Sequence, residues 1–174
     1  MFLLKIMPSI LFVCTANQFR SPLAAAFLNR WIGTHHPAEE WNVESAGTWT
    51  EPGRPATALA VRLAGRSGLP GLRQHLTREV SQELLDQFDL ILIMEKGQLE
   101  AIASEFHTVF GRSMLLSEIV DGVPYDIPDP VDPINDPQDV ASELQMLIEK
   151  GGDKILKMAE SLHRARQIYG ESDP

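Results

Sequence analysis

The chain has 174 residues, 44% of them apolar and 22% charged, which fits one domain with a sizeable core and excludes a disordered chain. Against 15 Lys and Arg stand 24 Asp and Glu, a net charge of −9, so no overall field favours nucleic acid or a membrane surface as partner. A single cysteine excludes an intramolecular disulfide framework and a cysteine-cluster metal site.

The leading segment, Met1 to Val13, is apolar but lacks a basic start, carries Lys5 and Pro8, and shows no small-residue cleavage pattern. No run approaches the length of a membrane span. The expectation is a cytoplasmic protein, where a lone thiol stays reduced, with Met1 or Met7 as the start.

Ile10 to Val13 is a short apolar run suited to a buried parallel strand. Ser21-Pro22 reads as N-cap and first helical residue. Leu23, Ala24, Phe27, Leu28 and Trp31 then recur at helical spacing, and Gly33 stands where that helix should stop. Trp41 to Ala46 is a second strand, followed by a Gly/Thr/Pro-rich loop. Ala56 to about Arg66 is helical, Thr77 is a candidate cap, and Ser81 caps a helix over Gln82–Gln87. Leu90 to Met94 is the clearest strand, Gly97 to Phe106 a helix, and Ser113 to Leu116 a fourth strand. Val120 to Pro137 is a long Pro- and Asp-rich loop, of the kind that is usually functional. Val140 to Tyr169 closes the chain as a helix that Gly151-Gly152 bends or interrupts, before a frayed tail from Gly170. Neither a repeat nor an interdomain linker is evident, so residues 1–174 read as one domain. Strands alternating with helices predict an α/β fold with a parallel sheet, whose ligands bind at the carboxyl ends of strands. Cys14 lies at such an end.

Between Cys14 and the helix, the loop can curl so that successive backbone N–H groups point inward. Those groups and the helix N-terminus bind an anion and stabilise a thiolate. Arg20 offers a planar fork to a tetrahedral oxyanion. Ser21 can hydrogen-bond the sulfur, and Asn17 tolerates the left-handed backbone that a tight curl needs. A nucleophile inside a phosphate-sized cradle describes cysteine-based phosphoryl transfer. The bland alternative is an inert cysteine at a strand end beside a solvated arginine.

At these residues the chain resembles the bacterial branch of the low-molecular-weight protein tyrosine phosphatase family. That family's signature runs C-x-G-N-x-C-R-S-P, against Cys14-Thr15-Ala16-Asn17-Gln18-Phe19-Arg20-Ser21-Pro22 here. Val43 to Trp49, His75-Leu-Thr-Arg78, Asp89 to Glu95 and Ile127-Pro-Asp-Pro130 resemble further family segments in the same order. The resemblance implies a three-layer fold of the flavodoxin-like, phosphatase I type: a four-stranded parallel sheet flanked by helices on both faces. It implies Cys14 as nucleophile, Arg20 with the loop amides of Thr15, Ala16, Asn17, Gln18, Phe19 and Ser21 as phosphate binder, and Asp129 as general acid and base. Ser45 and His75, with Asn17 and Ser21, would keep the loop curled, and Trp49 and Val131 would wall the substrate slot. Neither cofactor nor metal is implied. The partners would be phosphotyrosine proteins, with inorganic phosphate and related oxyanions as inhibitors. Asp121, Asp126, Asp132, Asp136 and Asp139 share the acid's region. The Asp-Pro context selects Asp129, and Asp132 is its rival.

Three departures bear on function. Phe19 replaces the family's second loop cysteine, so peroxide would carry Cys14 to sulfenic acid without a protective disulfide. Ala16 replaces a glycine, which costs stability if that position needs positive φ. Val131 and Asp132 stand where family members often have aromatics, adding negative charge at the rim. Gln18 fits neither the aliphatic residue usual in tyrosine phosphatases nor the threonine of their arginine-phosphatase relatives. A protein arginine phosphatase is therefore the first alternative, and a non-catalytic phospho-ligand binder the second. A thioredoxin-coupled arsenate reductase needs more cysteines than this chain has. His35, His36, His107 and His163 read as surface residues and Trp31 as core.

Overall fold

The computed structural model describes residues 7–170. The alternative start Met1 and the tail beyond Gly170 lie outside them. Strands β1 (Ser9–Cys14), β2 (Asn42–Gly47), β3 (Leu90–Ile93) and β4 (Ser113–Leu115) form one parallel sheet in the order β2-β1-β3-β4. Every residue of β1 and β3 is buried, as expected of strands covered on both faces. Strand periodicity sends Ile10, Phe12, Leu90 and Leu92 to one side, against Leu23 and Leu28 of α1 (Arg20–His35) and Leu144 and Ile155 of α6 (Pro137–Gly170). Leu11, Val13, Ile91 and Ile93 face the other side, against Leu85 of α3 (Gln82–Leu85) and Ile102 of α4 (Lys96–Glu105). The expected three-layer sheet is what forms.

The chain leaves β1 toward β2 on one side and returns to place β3 on the other. The loops after β1 and β3 therefore diverge at the carboxyl edge of the sheet, which opens a crevice there. That topology puts the end of β1, with Cys14, beside the end of β3, with Glu95.

Several local expectations need correction. Helix α1 begins at Arg20 with Phe19 as its N-cap residue, so Ser21 is not the cap; its hydroxyl is drawn to the sulfur of Cys14 instead. Gly33 does not stop α1, which runs on to His35. Helix α2 (Ala58–Arg66) starts two residues later than Ala56, because Thr57 Oγ1 accepts the Ala60 amide. Thr77 caps no helix; its hydroxyl accepts the Arg54 amide and donates to the Glu51 carbonyl, pinning one loop to another. A short helix α5 (Leu116–Asp121) takes the first part of the expected acid loop. Helix α6 starts at Pro137, not Val140, and runs unbroken through Gly151 and Gly152. Those glycines serve close packing: a Cβ on Gly152 would lie 2.5 Å from the Trp31 ring, and one on Gly151 would strike Val120. His163 is not a surface residue. Its side chain is 12% exposed and its Nδ1 meets Asp89 at 2.9 Å. No described helix is long and apolar enough to cross a membrane.

Candidate active site

The loop from Cys14 to Arg20 turns back on itself through Asn17, whose φ of 55° is the only positive value at a non-glycine among the described residues. Ala16 therefore carries no left-handed strain, and the alanine at that position costs nothing by that route. Four of the loop carbonyls are bound by neighbouring segments. Cys14 O accepts from Thr48 N (2.9 Å), Thr15 O from Trp49 N (3.1 Å) and Gln18 O from Thr57 N (3.0 Å). Asn17 O accepts from His75 Nε2 (2.7 Å). None of the amides from Thr15 to Arg20 donates to another described residue. A run of unpaired N–H groups leading into a helix N-terminus is chemically suited to an anion.

Asn17 is the hub of the loop. Its Nδ2 donates to Ser21 Oγ (3.0 Å) and Ser45 Oγ (2.9 Å), and its Oδ1 accepts the Arg78 amide (3.0 Å). Arg78 then donates Nε to the Ser45 carbonyl at 2.9 Å and pairs with Glu44. Burial lowers the pKa of His75 below its ordinary 6.5, against the pull of the Asn17 carbonyl and with the Arg78 charge acting in the same sense. In its neutral form His75 carries its proton on Nε2, because the Asn17 carbonyl can only accept. Beneath the loop, Gly47 lets β2 pass close: a Cβ there would sit 2.5 Å from the Thr15 oxygen and 3.1 Å from Asn17 Cβ.

Cys14 Sγ is buried and lies 3.0 Å from Ser21 Oγ, which also reaches the Ala46 carbonyl at 3.2 Å. Arg20 is 2% exposed. Its Nη1 pairs with Glu95 and donates to the Ile127 carbonyl (2.8 Å), and its Nη2 reaches Asp129 Oδ2 at 3.0 Å. Asp129 in turn accepts the Val131 amide at 3.0 Å. Asp132 is exposed and turned to its own loop, accepting the Ile134 amide at 3.0 Å. Cys14, Arg20 and Asp129 therefore converge with Thr15, Asn17 and Ser21, while Phe19 is buried in the core.

The slot residues divide. Trp49, 80% exposed, lines an open cleft of about 690 Å³ with Ala16, Gln18, Glu51, Arg54 and Glu79. Gln18 is held outward by its bond to the Pro55 carbonyl (2.9 Å). Val131 is exposed but does not border that cleft. Glu95 and Gln98 were missed from sequence. Glu95 begins α4 in a reciprocal capping box with Gln98, and Gln98 Nε2 donates to Thr15 Oγ1 at 2.9 Å. The E-x-x-Q spacing at a helix start is the signal that could have found them.

A family model described as low molecular weight phosphotyrosine protein phosphatase matches residues 9–168. The protein-arginine-phosphatase of Geobacillus stearothermophilus is 32% identical over 148 residues, 84% of this chain and 95% of that one. The low molecular weight protein-tyrosine-phosphatase Wzb of Escherichia coli K12 is 37% identical over 107 residues, 62% of this chain and 68% of that one. Among solved structures, a mutant of YwlE from Bacillus subtilis superposes with a TM-score of 0.77 at 30% identity, over 85% of this chain and 98% of that one. With its strand-loop-helix cradle around Cys14 and a match along nearly its whole described length, the chain belongs to the low molecular weight phosphotyrosine protein phosphatase family.

Proposed function

We propose that the protein hydrolyses phosphotyrosine in protein substrates through a phosphocysteine intermediate. Cys14 Sγ attacks phosphorus as the bond to the leaving oxygen breaks, and Asp129 supplies that oxygen with its proton. Arg20 and the amides from Thr15 to Arg20 carry the charge of the equatorial oxygens. Asp129 then takes a proton from water as it attacks phosphorus, and the sulfur leaves as thiolate, steadied by Ser21 Oγ. The observation that carries this reading is the run of loop amides without a partner among the described residues, directly after Cys14, with Arg20 and Asp129 3.0 Å apart. Inorganic phosphate and similar oxyanions would occupy the same cradle as inhibitors. A cytoplasmic site of action would keep the lone Cys14 thiol reduced, as this chemistry requires.

A second reading, hydrolysis of phosphoarginine, is favoured by the Geobacillus relative, whose length is matched almost throughout. Gln18, held away toward Pro55, distinguishes this chain from both groups. The test is turnover of p-nitrophenyl phosphate, followed by matched phosphotyrosine and phosphoarginine peptides. Cys14→Ser should abolish all of it, and ordinary rates in that variant would end the proposal. Asp129→Asn should slow substrates with poor leaving groups by roughly 10²–10⁴-fold. The same behaviour in Asp132→Asn, with Asp129→Asn unaffected, would move the acid.

A further inference from the structure

A second cleft, of about 680 Å³ and not lined by Trp49, opens between α1, the outer edge of β2 and the segment 68–78. That volume lies within the roughly 300–1,000 Å³ of small-molecule sites. Its walls are mainly apolar, with Ala25, Ala26, Val43, Leu69, Leu72 and Leu76 among them. Strand β2 is an edge strand, and its residues alternate in direction. The Asn42 and Thr48 amides bond β1, through Pro8 O (3.1 Å) and Cys14 O (2.9 Å), so Val43 and Ser45 turn their backbone groups outward. Their carbonyls are already taken, by Asn29 Nδ2 at 3.2 Å and Arg78 Nε at 2.9 Å. Their amides have no partner among the described residues. An added peptide strand would find donors but no acceptors, so this edge suits a small molecule and not a strand. A complementary acceptor is at hand: because His75 Nε2 donates to Asn17, its Nδ1 is left with a lone pair and no partner among the described residues.

We infer that this cleft binds a small apolar molecule carrying a primary carboxamide, its carbonyl accepting from the outward Ser45 amide of β2 and its NH₂ donating to His75 Nδ1. Such occupation tightens the phosphate loop. Three of the cleft's residues, Ser45, His75 and Arg78, are among the four that grip Asn17, with Ser21 the fourth. A ligand that donates to Nδ1 selects the tautomer that donates to Asn17 O. It therefore favours the same curled loop that an anion in the cradle favours, and by linkage each raises the affinity of the other by one factor. The binding half of this inference stands without the phosphatase reading. The coupling half rests on it.

The test titrates the full chain with 2-naphthamide, followed by backbone amide NMR, with and without saturating inorganic phosphate. The expected shifts centre on Val43, Ser45, Leu72 and His75. The 2-naphthamide dissociation constant should fall roughly fivefold in phosphate, the low end of ordinary coupling, and that of phosphate by the same factor in 2-naphthamide. Ala26→Trp should fill the cleft, and Leu76→Lys should charge its exposed lip; both should lose 2-naphthamide binding while thermal unfolding shows them folded. Displacement of 2-naphthamide by phosphate, shifts centred elsewhere, binding retained in both variants, or affinities indifferent to each other would overturn the inference. Absent p-nitrophenyl phosphate turnover with cleft shifts intact would overturn the phosphatase reading alone. Normal turnover with silent cleft residues would overturn the cleft alone.

Discussion

Asn17 carries more of the site than its size suggests. It supplies a left-handed turn that a β-carbon makes costly, and its side chain and carbonyl engage Ser21, Ser45, Arg78 and His75. The two contributions separate by substitution. Asn17→Gly keeps the backbone and loses the side-chain bonds, and should destabilise by about 2 kcal/mol. Asn17→Ala adds the left-handed penalty, about 1 kcal/mol more. Urea denaturation of both variants measures the difference; equal losses would mean that the turn is not strained. His75 gives the site a pH dependence of definite sign. Its folded pKa lies below 6.5, chiefly through burial, so the unfolded chain takes up a proton there that the folded chain resists. This histidine therefore subtracts stability as pH falls from 6.5 to its folded value, and neither adds nor subtracts above 6.5. Stability measured against pH should fall less steeply below that point in His75→Gln than in the parent chain, and parallel curves would contradict this. The asparagine was readable from sequence as the residue able to turn the loop. The partners that hold it were readable only by family resemblance, because His75 follows it by 58 residues with no periodic pattern linking the two.

At the scale of elements, the strands and long helices were evident from apolar periodicity, since burial on one or both faces writes itself into spacing. What periodicity misjudged was glycine. Gly33, Gly151 and Gly152 were read as a stop and a break, but all three lie inside helices. Their reasons differ. A Cβ at Gly33 would meet nothing within 4 Å, so Gly33→Ala should stabilise α1 by roughly 0.5–1 kcal/mol through helix propensity alone. Gly152 sits where α6 crosses the Trp31 ring, and Gly152→Ala should cost about 1–2 kcal/mol net, overpacking outweighing the propensity gain. Thermal unfolding of the pair checks both signs, and stabilisation by Gly152→Ala would show that Trp31 yields. The start of α1 was misjudged for a related reason. Ser21 has the chemistry of a cap, but the sulfur beside it and the Ala46 carbonyl claim its hydroxyl.

Across the whole molecule the two ends of the sheet do different work. The carboxyl end holds the Cys14–Arg20 loop. The amino end is clamped by Asp89, 4% exposed, which takes Ser9 N and Oγ (both 2.9 Å), His163 Nδ1 (2.9 Å) and Arg166 Nη1 (2.8 Å). One carboxylate thereby ties the starts of β1 and β3 to the last turns of α6. Asp89→Ala should destabilise by roughly 3 kcal/mol, because it strands buried donors, while kcat at a temperature where the variant stays folded remains that of the parent. A large fall in kcat for folded protein would mean that the clamp reaches the site. By itself the sequence determined the apolar strand, the thiol at its end, the turning asparagine and the helix with its arginine, because all are neighbours in the chain and their chemistry is local. Asp129 was singled out by its Asp-Pro context and by family resemblance, but tertiary structure alone brought Glu95 to that arginine. Glu95 and Asp129 come from 75 and 109 residues away. They arrive because a parallel sheet must cross over between strands and so delivers its loops to one edge. A local Asp-Pro context can mark one acid within its loop, but no spacing in a linear chain encodes that a second carboxylate from another loop will face the same guanidinium; the fold that aims both loops does.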